Sequence, residues 1–350
     1  MVRGRVQSGA SCGYIDKNRP ASILTSSNLR LFMSPELIGI HHVTAVTANA
    51  RQNHQFYTQV LGMRLVKKTV NQDDLSAYHL FYADAQGSPG SDLTFFDWAH
   101  SQPQRHGNSS ISSTALRVGG VESLEWWIER FDQLSVVHSP ISERGGRAIV
   151  DFQDAEGQLL SLLDDGNTGK SFPWSGSPVP LPFQIRGLGP VTITVPEIKS
   201  IDGLLTELLG MRPTEKYADP EKKEFSIQIY EMGAGGVSAE LHVRVRPDLA
   251  RYRPGAGGVH HVAFRVADEK VYHAWMRRLQ DMHIPNSGEV DRYYFKSLYF
   301  REPNQILFEL ATDGPGFGVD ENISDLGNNL ALPPFLERRR AEIEANLKPL

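Results

Sequence analysis

Shifted by 148 positions, the chain comes into register with itself, without a gap, from Val43 to Arg130. Leu61-Gly62-Met63-Arg64 meets Leu209-Gly210-Met211-Arg212, Val43-Thr44 meets Val191-Thr192, Tyr82 meets Tyr230 and Leu93 meets Leu241. Farther along, Ala115, Arg117 and Val118 meet Ala263, Arg265 and Val266, and Trp127 and Arg130 meet Trp275 and Arg278. One constant offset sustained this far marks a tandem duplication. Residues 37–165 and 185–313 are therefore expected to be two copies of one domain. The Gly-, Ser- and Pro-rich stretch 166–184 reads as the linker, and 314–350 as a tail. The tail ends in a charged helix from about Pro334 to Leu347, expected to pack through Phe335, Ile343 and Leu347.

Each copy divides once more. Residues 40–47 alternate like a strand, and 50–61 read as a helix entered through Thr47 and Asn49 and closed by Gly62. Strand-like runs follow at 64–70, 78–83 and 92–98. The cycle restarts at 112–118, with a helix around Leu124–Leu134 and strands ending at Leu159–Leu163. The expected class is α+β, built of four βαβββ modules.

The repeat also exposes where the modules differ. Their first strands carry His41-His42-Val43, Ser112-Ser113-Thr114, Gly189-Pro190-Val191 and His260-His261-Val262. Only the first and fourth modules hold a histidine pair. Strand alternation puts Val262, Phe264 and Val266 against the helix, with His260 beside them, and turns His261, Ala263 and Arg265 toward the concave face. By the same rule His42 points inward and His41 lies behind it. A third ligand is expected from Glu309, a lone carboxylate in an apolar strand whose counterpart is Ser161. Burying such a charge is costly unless something compensates it, and a metal would. Had neighbouring modules paired, the third would offer Pro190 where a histidine is needed. The first module should therefore close over the fourth, leaving the second and third to form a ligand-free cup with Ser113, Ser161 and Pro190 at the vacated positions.

Composition narrows the chemistry. The chain has 350 residues, a net charge of -5 and no long block of one sign, which argues against a nucleic-acid partner. No apolar run approaches the roughly 20 residues that cross a bilayer, so no membrane partner is expected. The single cysteine, Cys12, excludes an internal disulfide and fits a reducing, cytoplasmic location. A metal site must then use histidines and carboxylates, and two His with one carboxylate is the facial triad of non-haem Fe(II) sites. Zn(II) accepts the same ligands. Residues 1–36 read as a disordered extension, basic through Arg3, Arg5, Lys17, Arg19 and Arg30, with Met33 an alternative start.

The motifs His41-His42-Val43-Thr44-Ala45-Val46, Phe56-Tyr57 through Leu61-Gly62-Met63, and the strand closing on Glu309 resemble the vicinal oxygen chelate superfamily. That superfamily includes glyoxalase I, bleomycin-resistance proteins and extradiol dioxygenases. Tyr78-His79-Leu80, Gly87-Ser88-Pro89-Gly90, Ser123-Leu124-Glu125-Trp126-Trp127 and Ser297-Leu298-Tyr299 are similar to the hydroquinone ring-cleaving dioxygenases, such as dichlorohydroquinone dioxygenase. The resemblance covers about 37–315. It implies tandem vicinal oxygen chelate domains forming two cupped sheets, and Fe(II), with Mn(II) as the other candidate, on His42, His261 and Glu309. It also implies that Tyr299 and Arg292 face an aromatic substrate that reacts with O2, and that His41, Thr44 and His260 support the ligands. His79 and His260 are the candidate bases. Two rival readings stay open: a glyoxalase-type isomerase or lyase taking a fourth ligand from Asp92 or Asp97, and a non-catalytic protein that sequesters an aromatic or drug. A homo-oligomer is also left open. His242, alone in a strand of the third module, reads as structural and without a partner.

Overall fold

Sixteen strands, four from each module, pair into two eight-stranded curled sheets. The computed structural model describes residues 35–350; the readings of Cys12, Met33 and the basic segment around them lie outside these. The first module supplies β1 (Ile40–Thr47), β2 (Arg64–Asn71), β3 (Asp74–Ala83) and β4 (Asp92–Asp97). The second supplies β5 (Ser110–Val118), β6 (Ser142–Arg144), β7 (Arg147–Gln153) and β8 (Leu159–Asp164). The third supplies β9 (Leu188–Val195), β10 (Arg212–Ala218), β11 (Ser226–Glu231) and β12 (Glu240–Val245). The fourth supplies β13 (Val259–Val266), β14 (Val290–Asp291), β15 (Phe295–Arg301) and β16 (Leu307–Pro315).

One sheet runs β14-β15-β16-β13-β1-β4-β3-β2 and the other β10-β11-β12-β9-β5-β8-β7-β6. The fourth module thus joins the first, and the third joins the second, the pairing expected from Pro190 at a ligand position. The joints are the antiparallel pairs β1/β13 and β5/β9. Within each module the first strand lies parallel to the last, an arrangement that needs a crossover, here carrying the helix.

The first crossover helix, α1 (Ala50–Gln55), starts where the Asn49 side chain accepts the Gln52 N–H. It widens over Phe56–Val60 and stops at Gly62, whose φ of +69° suits glycine and whose missing Cβ leaves room for Ser177 and Val179. Helix α2 (Val121–Gln133) buries Leu124, Trp127 and Phe131, and α3 (Glu269–Asp281) buries Tyr272, Trp275 and Leu279. Spacings of three and four put each trio on one helix face. The third module keeps only short turns there, Ile198–Ser200 and Leu204–Leu208.

Val262, Phe264 and Val266 share one continuous core with the α2 and α3 residues. On the opposite face of β13, Ala263 belongs to a separate cluster with Phe81, Phe295, Ala311 and Phe317. The alternation expected along this part of β13 is therefore present. The tail lies against the first sheet. Lys67, wholly buried, pairs with Asp320 and Glu321 and donates to the Phe317 carbonyl, which ties the tail to β2. The last helix, α4 (Arg340–Asn346), is shorter than expected. It packs through Ile343, together with Leu336 of the preceding turn, against Val70 and Leu332, whereas Phe335 is 62% exposed. Among the described residues no helix is long and apolar enough to cross a membrane.

Candidate metal centre

The joint between the first and fourth modules is irregular at both histidine pairs. Ile40 faces Phe264 and His42 faces Ala263, so His41 is an extra residue on β1; Thr44 faces His261 and Ala45 faces Val259, so His260 is an extra residue on β13. These are β-bulges, which locally suspend strict alternation and re-aim side chains. The second sheet keeps equivalent shifts between Ile111 and Ser113 and between Thr114 and Leu116, without histidines. The bulge belongs to the fold, and the imidazoles exploit it.

The bulges correct two expectations from alternation. His41 does not lie behind His42: both rings pack on Phe295, with centroids 5.2 and 5.1 Å away, and their Nδ1 atoms are 2.9 Å apart. His260 does not share the helix-facing stripe of Val262. Its ring stands against Phe96 and Trp98, with its Nδ1 2.8 Å from that of His261.

Register then aligns the triad. His42 on β1 faces Ala263 on β13, Ala263 faces Glu309 on β16, and Glu309 faces Tyr299 on β15. His261 sits one step along, opposite Thr44. The small Ala263 leaves space in the middle of this row. Glu309 Oε2 is 3.3 Å from His42 Nε2 and 2.9 Å from His261 Nε2, and the two Nε2 atoms are 3.3 Å apart. All three side chains are buried, and Glu309 Oε2 has no hydrogen bond of good geometry among the described residues. His42, His261 and Glu309 form the one group of three or more potential metal ligands among the described residues.

The histidine pairs define tautomers. His41 Nε2 lies 3.1 Å from the Thr312 carbonyl, so it carries the proton and donates. His41 Nδ1 must then accept from His42 Nδ1–H, leaving a lone pair on His42 Nε2 aimed at Glu309. Burial first, and the neighbouring His42 next, hold the His41 pKa down to about 3, so it stays neutral and able to accept. His261 Nδ1 and His260 Nδ1 lie 2.8 Å apart in the same way, and with the proton of that contact on His261 Nδ1 its Nε2 is free. Burial also lowers His261 and takes His260 to about 3. Burial alone would raise Glu309, but His42 and His261 outweigh it and keep the carboxylate ionised. Three ligand atoms, two imidazole Nε2 and one carboxylate oxygen, thus converge on one buried point, and a cation in place of a shared proton fits there.

Around this point His42, His79, Phe96, His261, Arg292 and Tyr299 line a cavity of about 30 Å³. His79 is neutral, its pKa lowered well below the usual imidazole range chiefly by burial, and its Nε2 is 3.1 Å from Thr94 Oγ1. Thr94 Oγ1 lies 2.7 Å from Thr44 Oγ1. Tyr299 is kept protonated by burial and by the Glu309 charge. Arg292 Nε donates to the Tyr299 oxygen at 3.3 Å and its Nη2 reaches Asp73 at 3.0 Å. Asp92 faces His42 across β1/β4, yet neither it nor Asp97 joins the cluster, and burial pushes the Asp92 carboxyl well up.

Sequence reasoning missed Ser297, whose hydroxyl donates to Glu309 Oε1 at 2.5 Å. The signal was available, since Ser297 lies two residues before Tyr299 and thus on the same strand face. It also missed the aromatic wall of Phe96 and Phe295, which only the sheet order brings in. His242, expected to lack a partner, has two: Glu240 at 2.9 Å and the Tyr217 hydroxyl at 3.0 Å.

Comparison with known proteins gives three kinds of match. The model of the Glyoxalase/Bleomycin resistance protein/Dioxygenase superfamily matches residues 39–162 and 187–310. A Bacillus subtilis (strain 168) protein named "Putative ring-cleaving dioxygenase MhqA" is 53% identical over 313 residues, covering 89% of this chain and 98% of that one. The chlorohydroquinone/hydroquinone 1,2-dioxygenase of Sphingobium indicum is 30% identical over 316 residues, covering 88% of this chain and 96% of its own. A crystal structure from Bacillus subtilis, titled as that of a "putative dioxygenase", superposes with a TM-score of 0.83 at 33% identity, covering 90% of this chain and 98% of that one.

Proposed function

The chain belongs to the Glyoxalase/Bleomycin resistance protein/Dioxygenase superfamily, and from that premise we propose that it is a ring-cleaving dioxygenase acting on hydroquinone- or catechol-type aromatics at an Fe(II) centre. The observation that carries this reading is the convergence of His42 Nε2, His261 Nε2 and Glu309 Oε2 on one buried point beside Tyr299 and Arg292. Two imidazoles and one carboxylate, with no thiolate, are the ligand set of mononuclear non-haem iron. Held there, Fe(II) supplies open positions for a substrate oxygen and O2 and a path for electrons between them. Both oxygen atoms end in the ring-opened product, so no external reductant is consumed. The similarity to a chlorohydroquinone/hydroquinone dioxygenase supports the substrate class.

The protein's side chains have distinct tasks in this reading. His41 and His260 hold the proton positions of His42 and His261, and Ser297 holds Glu309. Tyr299, protonated and backed by Arg292, donates a hydrogen bond to charge developing on a substrate oxygen. His79, neutral and on the cavity wall, accepts the second hydroxyl proton and is itself oriented by Thr94 and Thr44. Phe96 and Phe295 exclude water and offer faces to an aromatic ring. A cavity of about 30 Å³ does not hold such a ring, since benzene occupies an engineered void of about 150 Å³. Substrate entry therefore requires side chains of the wall to move outward.

A glyoxalase-type isomerase uses a fourth protein ligand, and Asp92 and Asp97 stand outside the cluster. The test is oxygen uptake by protein purified without air, loaded with Fe(II), and offered hydroquinone and catechol in turn. Stoichiometric uptake with either diol supports the proposal. No uptake with either, together with turnover of a thiol hemiacetal, sinks it.

A further inference from the structure

The larger cavity lies in the other cup, about 440 Å³ against about 30 Å³ over the triad. The 148-residue offset relates the two. Arg292, Tyr299, Thr69 and His79 of the metal pocket correspond to Arg144, Asp151, Tyr217 and Ile227, all lining the second cavity. The vacated ligand positions Ser113, Ser161 and Pro190 line a smaller hollow in the same cup that shares Ser113, Arg144 and Thr192 with it. Two replacements open this cup. Gly146 stands where the metal cup has the buried Tyr294, and Arg244 stands where it has Phe96, its guanidinium drawn away to Asp219.

We propose that this second cup is a binding site for a neutral hydroxylated aromatic of one or two rings. Charge selects the class. Both arginines on the lining already have a carboxylate: Arg144 is bidentate on Asp151 at 3.1 and 2.5 Å and Arg244 on Asp219 at 2.5 and 2.9 Å, while Arg147, off the lining, is bidentate on Glu240 at 2.8 and 2.6 Å. An anionic or cationic ligand would have to break one of these pairs and strand its partner, a costly exchange. Neutral polar groups remain free to serve. The Tyr217 hydroxyl is oriented by His242, which Glu240 holds in turn, and Arg144 Nε is a buried donor without a partner among the described residues. Ser113 and Thr192 add hydroxyls on the lining. Phe152, Leu159, Pro220 and Ile227 supply the apolar wall for a ring. Size agrees: benzene fits a void of about 150 Å³, and this cavity is about three times larger.

This hydrogen-bonded series from Arg147 through Glu240 and His242 to Tyr217 has no counterpart in the metal cup, where the corresponding residues are Phe295, Asp92, Thr94 and Thr69. The vacated cup has thus acquired its own polar floor rather than filling with apolar side chains. The proposal is independent of the metal centre.

The test is isothermal titration calorimetry of the full chain with 2-naphthol, before and after metal removal by chelation. The expected result is one saturable site in both forms. Ser113→Phe, at a half-buried position, and Ile227→Trp should each fill the cup and abolish that site. Tyr217→Phe should weaken it by about two- to tenfold, the loss of one hydrogen bond. Naphthalene-2-carboxylate should bind at least about tenfold more weakly, because seating its charge would require an arginine to leave its own carboxylate partner. No saturable binding to the parent chain overturns the proposal, as does binding that survives Ser113→Phe unchanged. Equal or tighter binding of the carboxylate overturns the assignment of a neutral ligand. Far-ultraviolet circular dichroism of each variant separates a blocked cup from a lost fold, and either blocking variant that folds suffices.

Discussion

Replacing Glu309 by Gln should leave the metal-free protein as stable as the parent while removing its response to metal. The side chain is fully buried, and its Oε2 lies 3.3 and 2.9 Å from the two imidazole Nε2 atoms. Glutamine keeps the shape and the oxygen that accepts from Ser297, so the metal-free fold loses no hydrogen bond from that hydroxyl. It also removes a buried charge compensated only by two imidazoles and the Ser297 hydroxyl among the described residues. Metal binding responds differently. Losing a group that merely orients a ligand costs about 10–100-fold in affinity, and losing the anionic ligand itself should cost at least about 100-fold. With Fe(II) at 100 times the parent dissociation constant, the parent gains about 2.7 kcal/mol, whereas a variant 100-fold weaker gains only about 0.4 kcal/mol. Urea denaturation under argon, with and without Fe(II), reads both quantities. A Glu309→Gln variant that retains more than about 2 kcal/mol of metal-linked stabilisation would refute the placement of the metal on this carboxylate.

Three further outcomes follow from the geometry. His42→Ala should abolish iron retention measured after gel filtration, while His41→Ala should retain iron with affinity lowered by about 10–100-fold, as expected for loss of a neighbour that holds a tautomer; the reverse order would contradict the assignment. Trp127 donates Nε1–H to the Phe183 carbonyl at 2.8 Å, whereas the equivalent Trp275 has a buried Nε1 without a partner among the described residues. Trp127→Phe should therefore cost about 1 kcal/mol more in urea stability than Trp275→Phe, and equal costs would contradict this. Burial raises Asp154 from 3.8 to about 6 in the folded chain. A raised folded pKa means that its contribution is fully present below the unfolded pKa and is lost as pH rises through about 6. Wild type should thus lose about 2.4 kcal/mol between pH 4 and 7 relative to Asp154→Asn, in paired denaturation curves; parallel pH profiles would show that the group is not perturbed.

Much of this protein is legible in its sequence because the informative signals are local or repeated. The 148-residue offset reveals four modules, and Pro190 at a ligand position is enough to derive that the first module closes over the fourth. The lone Glu309 in an apolar strand reveals a buried charge that needs compensation. Helix stripes such as Leu124, Trp127 and Phe131 follow from a period that any window of the chain displays. What alternation cannot supply is the aim of the histidines. His41 and His260 are extra residues in the register between β1 and β13, strands that meet from some 219 positions apart, and no local pattern encodes that register. The tertiary pairing alone turns both rings of each pair to one side, sets the Thr312–His41–His42 tautomer series, and brings Phe96 and Phe295 to the wall. The same holds for the second cup. Its residues are ordinary in sequence, and His242 acquires its partners Glu240 and Tyr217 only when β10, β11 and β12 stand side by side. Composition and periodicity determine which side chains are buried and which strands exist; the strand register, a long-range property, decides which of those side chains meet.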